Sequence, residues 1–410
     1  MLWDLSMSAA GVCIICGEDS GDYGMKLLVI DCFNNYDIRI KPILDFFEYH
    51  NYECTYVTSD FDHREKKRYQ CLDEKTIQIK VPKYSKNISF KRIISHIIFS
   101  YRAYKKMLDL KPDCIYTIVP PNSITWFAKR YKMKYKNTKL IFDIYDLWPE
   151  TMPIKKLKKS LPFYLWGAIR NKNIKYADLV ITECNLFKDI LKNYLKETKA
   201  ETLYLAKREI NVVSKPKLSE YEIHLAYLGS INNIIDIPKI KEIIETIKKV
   251  KSVTLHIVGD GESRQELIDA AQAGGATVEY HGKIYDSQEK QDIFDKCHFG
   301  LNIMKDNVCV GLTMKSIDYF QHGLPIINNI PADTAEIVEK YGVGVNILED
   351  DDIKLKINSL TLEENTILKS RVINLFKEKF SIDAFFENMG NILQNHLSMM
   401  AEEDANEFNN

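Results

Sequence analysis

The chain has 410 residues, of which 45% are hydrophobic and 28% are charged, and its formal net charge at pH 7 is −1. This near-average composition excludes a disordered or fibrous protein, and the length predicts two domains of roughly 150 to 200 residues each. No apolar stretch reaches the ~18 residues needed for a membrane span, and the N-terminus lacks a basic secretory leader, so we expect a cytoplasmic protein.

The nine cysteines are scattered and lack the close, even spacing of a disulfide framework, which predicts reduced thiols. Cys13 and Cys16 form one Cys-x-x-Cys pair, but no second pair or nearby histidine completes a zinc set. The sequence therefore predicts no bound metal.

Charge is unevenly distributed along the chain. Residues 80–176 contain 22 Lys and Arg against 5 Asp and Glu, a net charge of +17, so the remainder carries −18. A block this basic has either a solvated surface or a negative partner, such as an anionic membrane, a phosphorylated substrate or nucleic acid.

The N-terminal half alternates apolar strands with amphipathic helices. Residues 1–24 fit no such pattern. We predict that they are a disordered arm, or that the start codon has been placed upstream of Met25, and we expect them to carry no function. Residues 25–206 are predicted to form one domain, without hairpin signals. Its strands are predicted at 25–31, 54–59, 114–119, 139–146 and 178–183, and its helices between the first two strands and at 89–109, 122–132, 162–175 and 185–195.

A second run of the same kind follows a polar linker, predicted at residues 207–222. Residues 223–365 again alternate strand and helix, residues 366–398 are helical, and the acidic tail 399–410 is predicted to be disordered. Repeated β-α-β units predict an α/β protein with two tandem, doubly wound, Rossmann-like domains.

Glycine-rich loops follow the first strands of the second domain. Gly229 ends "YLGS", and Gly259, Asp260 and Gly261 lie between an apolar strand and a helix. Small residues at this point let a ligand approach the backbone, and ligands of such sheets bind at the carboxyl ends of the strands. The alternative is an ordinary tight β-α turn.

The stretch "VGLTMKSIDYFQHGLPIINN", residues 310–329, predicts a short helix with an anion site at its start. Gly311 precedes helix amides that lack intrahelical acceptors and lie at the positive end of the helix dipole. These are the amides of Leu312, Thr313 and Met314.

Two charged residues interrupt this apolar helix. Lys315 in the first turn opposes the helix dipole, and a bound phosphate explains it better than a solvated surface lysine does. Asp318, three residues later on the same face, can pair with Lys315 or accept hydrogen bonds from the hydroxyls of a ribose. Gly323 and Pro325 end the helix. The pattern is typical of half of a nucleotide-diphosphate site.

Five segments of the second half occur in the order found in family-four retaining glycosyltransferases with the GT-B fold, which the chain resembles over nearly all of residues 25–398. These segments are "YLGS", "HIVGDGES", "VEYHGKIY", "GLTMKSIDYFQHGLPIINN" and "AEIVEKYGVG", while "DIYDLWPETM" and "YADLVITE" match the N-terminal domain. Within that family it is similar to enzymes of capsule, exopolysaccharide and O-antigen assembly. The resemblance implies a GT-B fold closed by C-terminal helices that cross back to the first domain.

The resemblance also implies a nucleotide-diphosphate sugar donor, a lipid-linked saccharide acceptor and retention at the anomeric carbon. The family's ribose-binding glutamate matches Asp318, but the glutamate that faces the donor sugar falls on Val310. The basic residues that usually contact the diphosphate are missing at Ser230, so Lys315 and Lys283 are the candidate substitutes.

The peptide at Lys283 and Ile284 matches the family's position for the nucleobase, although Lys283 is equally compatible with an exposed loop lysine. No Asp-x-Asp motif follows a strand, so we expect catalysis without a metal or other cofactor, through helix amides and Lys315 as the catalytic cation.

Three acids, Asp143, Asp146 and Glu150, lie at the end of the strand "KLIFDIYD" and just after it in the first domain. Asp146 is the candidate that orients an acceptor hydroxyl, and its alternative role is to cap the next turn. Trp148 is either a core residue or a platform for a sugar ring. The histidine that the family often has here is absent.

Aromatic and aliphatic residues alternate with lysines in the basic segment 80–176. Such helices can lie on anionic lipid, which favours a peripheral position on the inner face of the membrane, or they can pack on the sheet with solvated lysines. No nucleic-acid-binding motif is present, so we do not expect nucleic acid as a partner. Two alternative functions remain, a non-catalytic GT-B-like subunit of another transferase and a GT-B-fold sugar-nucleotide epimerase.

Overall fold

The computed structural model describes residues 24–34, 36–71, 73–152, 160–347 and 361–399. The predicted N-terminal arm except Gly24, the Cys13–Cys16 pair and the predicted acidic tail beyond residue 399 lie outside these ranges.

The first domain is built on a seven-stranded sheet in the order β5-β2-β1-β6-β7-β8-β9, and every pairing in it is parallel. All six residues of the central strand β6 are buried, as expected for a strand covered by helices on both faces. Two short strands, β3 and β4, pair antiparallel outside the sheet. The strands are β1 (Lys26–Ile30), β2 (Glu53–Ser59), β3 (Phe61–Asp62), β4 (Lys67–Arg68), β5 (Thr76–Ile79), β6 (Cys114–Val119), β7 (Lys139–Ile144), β8 (Leu179–Thr182) and β9 (Ala200–Thr202).

Five α-helices of this domain lie within the described residues. The longest begins after Ser89, whose side chain accepts a hydrogen bond from the N–H of Arg92 and so caps it. The helices are α1 (Asp37–Tyr49), α2 (Phe90–Leu110), α3 (Ser123–Lys134), α4 (Leu161–Asn173) and α5 (Asn185–Leu191).

The second domain is built on a six-stranded parallel sheet in the order β12-β11-β10-β13-β14-β15. Helix α6 shows how the sequence dictates its packing, because isoleucines spaced three and four residues apart form one buried face. The strands are β10 (Glu222–Leu228), β11 (Ser252–Val258), β12 (Thr277–Gly282), β13 (Phe299–Asn302), β14 (Ile326–Asn328) and β15 (Gly344–Asn346). The helices are α6 (Ile237–Lys248), α7 (Arg264–Ala273), α8 (Ser287–Phe294), α9 (Met314–Gln321) and α10 (Asp333–Tyr341).

Two C-terminal helices join the domains. Helix α11 (Leu362–Lys379) packs through Val372, Leu375 and Phe376 into the core of the second domain. Helix α12 (Ile382–Leu397) packs through Phe385, Met389 and Leu393 into the core of the first. The chain therefore crosses back over the cleft. Among the described residues, no helix combines the length and apolar character needed to cross a bilayer.

The predicted fold class, two tandem parallel sheets of Rossmann type, is confirmed. The structure adds β5 and β9, and the β3–β4 hairpin is an exception to the expected absence of hairpins. These strands have two to four residues, too few for the apolar alternation on which the sequence argument depends.

Candidate functional site

A cavity of about 580 Å³ lies between the two domains. It is reached from the carboxyl ends of β7, β8 and β13, which is where doubly wound sheets bind ligands. One wall comes from the first domain and the other from the loop that leads into α9. Its residues include His63, Arg92, Asp146, Trp148, Glu183, Met304, Val310, Gly311, Leu312, Thr313 and Met314.

Asp146 lines this cavity, as the sequence predicts. Its Oδ2 accepts a hydrogen bond of 3.2 Å from the hydroxyl of Tyr36, and no capping bond from its side chain occurs among the described residues. Burial raises the pKa of Asp146 to about 6, while the Tyr36 hydrogen bond and the nearby Arg92 oppose the rise. Asp146 is therefore a carboxylate at neutral pH with a proton affinity suited to a general base.

The other two acids of this segment have partners of their own. Asp143 is fully buried and pairs with Arg39, with Nε to Oδ2 at 2.8 Å, and it also accepts a 2.6 Å hydrogen bond from Tyr116. Glu150 pairs with Arg170 at 2.6 Å. These pairs stabilise the architecture of the wall and leave Asp146 as the acid of the three that faces the cavity.

Arg92 is a cavity residue that the sequence did not identify. Its guanidinium stacks over Trp148, 4.2 Å from the ring centroid, and its Nη1 donates to the carbonyl of Asn87 at 2.8 Å. Its Nη2 is buried and has no hydrogen-bond partner in the part of the chain that the structure describes. A buried guanidinium with an unused donor is suited to an anion.

Glu183 and His63 also line the cavity without having been predicted. Glu183 follows β8 directly, and burial, then the charge of Asp146, raise its pKa well above the usual value. His63 lies between β3 and β4, with its Nδ1 2.8 Å from the hydroxyl of Tyr84, and burial lowers its pKa to about 3. The position of Glu183 at the carboxyl end of a strand could have identified it, whereas nothing in the sequence distinguishes His63.

The opposite wall contains the start of α9. The helix begins at Met314, and the side chain of its N-cap Thr313 accepts a hydrogen bond from the N–H of Ser316 at 3.1 Å. The hydroxyl of Thr313 donates in turn to the side chain of Asn302 at 2.8 Å. This leaves the first backbone N–H groups of α9 without intrahelical acceptors at the edge of the cavity.

Gly311 is required by packing at the domain boundary. A Cβ there would lie 2.6 Å from the carboxylate of Asp333 and 2.9 Å from the sulfur of Cys184. Asp333 accepts hydrogen bonds from the N–H groups of Asn185 and Leu186, at 2.7 and 2.9 Å. It also accepts one from the hydroxyl of Tyr204 at 2.8 Å. Asp333 of the second domain thus caps α5 of the first domain, and Gly311, just before α9, packs against the same carboxylate.

Lys315 and Asp318 do not pair with each other. The Lys315 ammonium lies 4.3 Å from the ring centroid of Tyr227 and donates to its hydroxyl at 3.2 Å, and burial lowers its pKa to about 7. Tyr227 donates to the carbonyl of Ser230, so Lys315 lies beside the loop after β10. Asp318 instead pairs with Lys207 of the interdomain segment.

The glycine-rich loops after β10, β11 and β12 pack against one another. The N–H of Gly259 donates to the carbonyl of Gly282 at 2.7 Å, and a Cβ on Gly259 would lie 2.0 Å from the carbonyl oxygen of Gly229. A Cβ on Gly261 would lie 2.1 Å from the carbonyl oxygen of Ile231. Close packing of loops therefore accounts for these glycines without a ligand.

The remaining predicted donor residues lie on the same edge of the sheet. Asp260 accepts from the N–H of Gly261 at 2.9 Å and so shapes its own loop. Lys283 is exposed, and Ile284 packs at the margin of the second core. The cavity thus combines Asp146 with Gly311 to Met314, while Lys315, Asp318 and the loops lie outside its lining.

Residues 222–361 match the sequence family described as glycosyl transferases group 1. The matched segment coincides with the second sheet and its helices. No curated protein shows significant sequence similarity to the chain.

Solved structures of similar shape have the GT-B fold. Sucrose-phosphate synthase from Thermosynechococcus elongatus superposes with a TM-score of 0.65 at 11% identity, covering 92% of this chain and 100% of that one. The apo lipopolysaccharide outer core galactosyltransferase WaaB superposes with a TM-score of 0.64 at 15% identity, covering 91% of this chain and 100% of that one. HepE of Anabaena, in complex with UDP and glucose, superposes with a TM-score of 0.61 at 12% identity, covering 90% of this chain and 100% of that one.

Proposed function

We propose that this chain is a glycosyltransferase that moves a sugar from a nucleotide-diphosphate donor to a hydroxyl group of a lipid-linked or polysaccharide acceptor. The cavity between the two sheets carries this proposal, because it brings a carboxylate with a raised pKa opposite the free amides of a helix N-terminus. The reaction needs both, one group for the acceptor proton and one for the departing anion. The family resemblance suggests a role in cell-surface polysaccharide synthesis. It also suggests retention at the anomeric carbon, which requires the acceptor hydroxyl to attack from the same face that the diphosphate leaves.

The donor half of the site uses the group 1 domain. The departing diphosphate gains negative charge, and the amides at the start of α9 are fixed to stabilise it without reorganising. Lys315 adds a positive charge beside Ser230, where related enzymes have a basic residue on the neighbouring loop. Asp318 becomes a ribose ligand when Lys207 moves or shares it. HepE binds UDP and glucose, which supports a nucleotide sugar as the donor here.

The acceptor half uses side chains of the first domain. Asp146 accepts the proton of the attacking hydroxyl, and Trp148 and Arg92 lie beside it in the cavity. The unused Nη2 donor of Arg92 suits the phosphate of a lipid-linked acceptor, because guanidinium groups bind phosphate through paired N–H groups.

A non-catalytic partner subunit is the second candidate function. Val310 lines the cavity where related enzymes present a glutamate to the donor sugar, so the wall is apolar at that point. A subunit of this kind would bind a sister transferase and hydrolyse no donor. A sugar-nucleotide epimerase would instead release an isomerised nucleotide sugar without any acceptor.

The first experiment is a thermal-shift screen of UDP-, GDP-, dTDP- and CMP-sugars. A donor at 100 times its dissociation constant should stabilise the fold by about 2.7 kcal/mol. The Lys315→Ala variant should lose most of this shift, and Lys241→Ala, on the exposed face of α6, should keep it. A flat response to all nucleotide sugars would contradict a donor site.

Product analysis then separates the candidate functions. The donor identified in the screen is incubated with and without a lipid-linked acceptor, and the products are separated by chromatography. Glycosylated lipid formed only with acceptor supports a transferase, and an isomerised nucleotide sugar formed without acceptor supports an epimerase. A donor that is bound but unchanged in both reactions supports the non-catalytic subunit.

We also propose that the first domain lies on an anionic membrane surface. Helices α2 and α4 expose Phe90, Leu161 and Tyr164, whose exposed fractions are 81%, 68% and 64%. Beside them a groove of about 1070 Å³ is lined by apolar and basic side chains together. The groove residues include Ile97, Trp126, Leu165, Ile169, Lys129, Lys172 and Lys175.

Apolar side chains ringed by lysines fit the boundary between lipid headgroups and acyl chains, where each basic residue contributes about 1 kcal/mol. The chain should sediment with phosphatidylglycerol vesicles and not with phosphatidylcholine vesicles, and salt should weaken the binding. The double variant Phe90→Ser, Leu165→Ser should lose sedimentation, while Lys241→Ala, Lys248→Ala on α6 should not. Equal binding of both double variants would contradict this surface.

A further inference from the structure

Four histidines from adjacent strands stack into one row across the second sheet. His281 of β12, His256 of β11 and His224 of β10 lie side by side, and His298 directly precedes β13. Neighbouring ring centroids along the row are 5.4, 5.2 and 6.3 Å apart, with interplanar angles of 10°, 23° and 21°. None of the four lines the cavity between the domains.

Contacts between the ring nitrogens and one carboxylate connect the histidines of this row. His224 Nε2 lies 3.2 Å from Oε2 of Glu222, and the other oxygen of Glu222 accepts from Thr254 at 2.7 Å. His224 Nδ1 shares a 2.9 Å hydrogen bond with Nε2 of His256. In the tautomer in which His256 Nε2 is the donor, the remaining nitrogen of His256, Nδ1, carries a lone pair on the side of His281.

Two further potential ligand atoms lie close to His256 Nδ1. His256 Nδ1 lies 3.1 Å from His281 Nε2 and 3.3 Å from Oε2 of Glu279, and the last two atoms are 3.9 Å apart. Tetrahedral zinc with bonds of about 2.0 to 2.2 Å separates its ligand atoms by roughly 3.3 to 3.6 Å. The three distances bracket this value, so the spacing of the atoms is compatible with three corners of such a tetrahedron.

We propose that His256, His281 and Glu279 form a binding site for Zn²⁺, with the fourth coordination position left to water. The two imidazoles and one carboxylate are ligand types that zinc accepts. His256 is fully buried, whereas the side chain of Glu279 is 47% exposed, so the ion enters from the solvent side of Glu279.

The neighbours of this trio support a metal more than they support a simple hydrogen-bonded row. A metal-bound histidine usually donates its other N–H to a carboxylate or an equivalent acceptor, which fixes its ring. Here the row offers such acceptors, because Nε2 of His256 shares a 2.9 Å hydrogen bond with Nδ1 of His224, and Nε2 of His224 lies 3.2 Å from Oε2 of Glu222.

The site is separate from the proposed transfer reaction. It ties β11 to β12, the two strands whose following loops carry Gly259 and Lys283. Zinc bound there would stabilise this edge of the sheet, because a ligand that binds only the folded state raises the free energy of unfolding.

The direct test uses untagged protein, dialysed against Zn²⁺ and then against metal-free buffer, and measures bound zinc by mass spectrometry. We expect one equivalent per chain and a higher melting temperature with Zn²⁺ than with Mg²⁺. With Co²⁺ as a spectroscopic probe, we expect the visible bands of a tetrahedral nitrogen and oxygen site, without the intense thiolate charge-transfer band. Wild-type protein that retains no zinc, or a cobalt spectrum dominated by thiolate, would overturn the proposal.

Variants then assign the ligands. Glu279→Gln and His281→Asn change side chains at the solvent side and should lower the affinity for zinc at least tenfold, with unchanged circular dichroism. Glu222→Gln acts through His224 and should weaken binding by roughly ten- to a hundredfold.

His396→Ala removes a histidine that pairs with Glu201 in the first domain at 2.9 Å, and should leave binding unchanged. Cys13→Ser, Cys16→Ser should also leave it unchanged. Wild-type affinity in both Glu279→Gln and His281→Asn would contradict the assignment.

Discussion

The two walls of the cleft are made of different chemistry. The first domain presents side chains, with Asp146, Glu183, Arg92 and His63 facing the cavity. The second domain lines the cavity with the segment from Val310 to Met314, including Gly311 and the amides at the start of α9, while its glycine loops pack against one another outside the lining. A wall of side chains can be altered one group at a time, whereas a wall of backbone depends on the positions of whole loops.

This contrast explains why the two halves respond differently to substitution. On the side-chain wall an isosteric change should remove one function and leave the fold intact, unless it unpairs a buried charge. On the backbone wall the sensitive positions are those where an added methyl group moves a loop. We therefore expect the greatest losses at buried charges of the first domain and smaller ones at the glycines of the second.

Asp143→Asn should destabilise the side-chain wall strongly. Asp143 and Arg39 are both fully buried, and removing one charge leaves the other unpaired at a cost of about 3 to 5 kcal/mol. Urea unfolding measures the loss. The matched change Asp45→Asn breaks an exposed pair with Arg208 and should cost no more than about 1 kcal/mol. Equal losses would mean that the buried pair is not structural.

Asp146→Asn should lower kcat by roughly 10²- to 10⁴-fold without lowering the melting temperature. The amide keeps the size of the side chain and its contact with Tyr36 but cannot accept the acceptor proton. Turnover with the donor and acceptor from the screen measures this.

The pH profile provides the control for Asp146. Its pKa is raised to about 6, so kcat/KM of the wild type should fall as the pH drops through 6 and the carboxylate is protonated. In Asp146→Asn that limb should vanish. A variant that kept the same acidic limb would show that another group is the base.

Lys315→Ala should reduce the single-turnover rate by about 10²-fold, the usual loss for one contact to a developing anion. The side chain packs on Tyr227 and has no carboxylate partner among the described residues, so the fold should tolerate its removal. Lys241→Ala, whose partner Glu245 is exposed, serves as the matched control. An unchanged rate in Lys315→Ala would exclude this lysine from the mechanism.

Gly259→Ala should weaken donor binding and cost about 1 to 3 kcal/mol of stability, because its φ of +143° suits glycine and its Cβ would strike the Gly229 carbonyl. Gly282→Ala provides the comparison, since its φ is +71° but its Cβ would meet open space. Thermal unfolding and donor titration measure both. If Gly282→Ala weakens donor binding as much as Gly259→Ala does, the contact between the loops is not the cause of the weaker binding.

The sequence predicted the backbone wall better than the side-chain wall. Glycines and a proline mark the loops and the end of α9, because few other residues adopt those conformations. The start of α9 was predicted within two residues of Met314, with Thr313 as its observed cap. Asp146 was identified because it lies at the end of a strand. Glu183 also ends an apolar strand, in the segment "YADLVITE", but was not singled out.

Long-range pairing was not predictable in the same way. Nothing near Arg92 indicates that Trp148, 56 positions along the chain, supplies the ring beneath its guanidinium. Nothing near Asp318 indicates that Lys207 is its partner rather than Lys315. The four histidines of the second sheet are also far apart in sequence. The strand register pairs His224 with Thr254 and His256 with Glu279, so the directions of the side chains, and not register alone, bring the rings together.

Asp333 joins the two domains through hydrogen bonds beside the cavity. Its carboxylate belongs to one half of the molecule, and its three hydrogen-bond donors belong to the other. Separating the two domains would remove the hydrogen bonds that cap α5 and would expose the buried carboxylate of Asp333. Any opening of the cavity that separates α10 from α5 would therefore break these three hydrogen bonds.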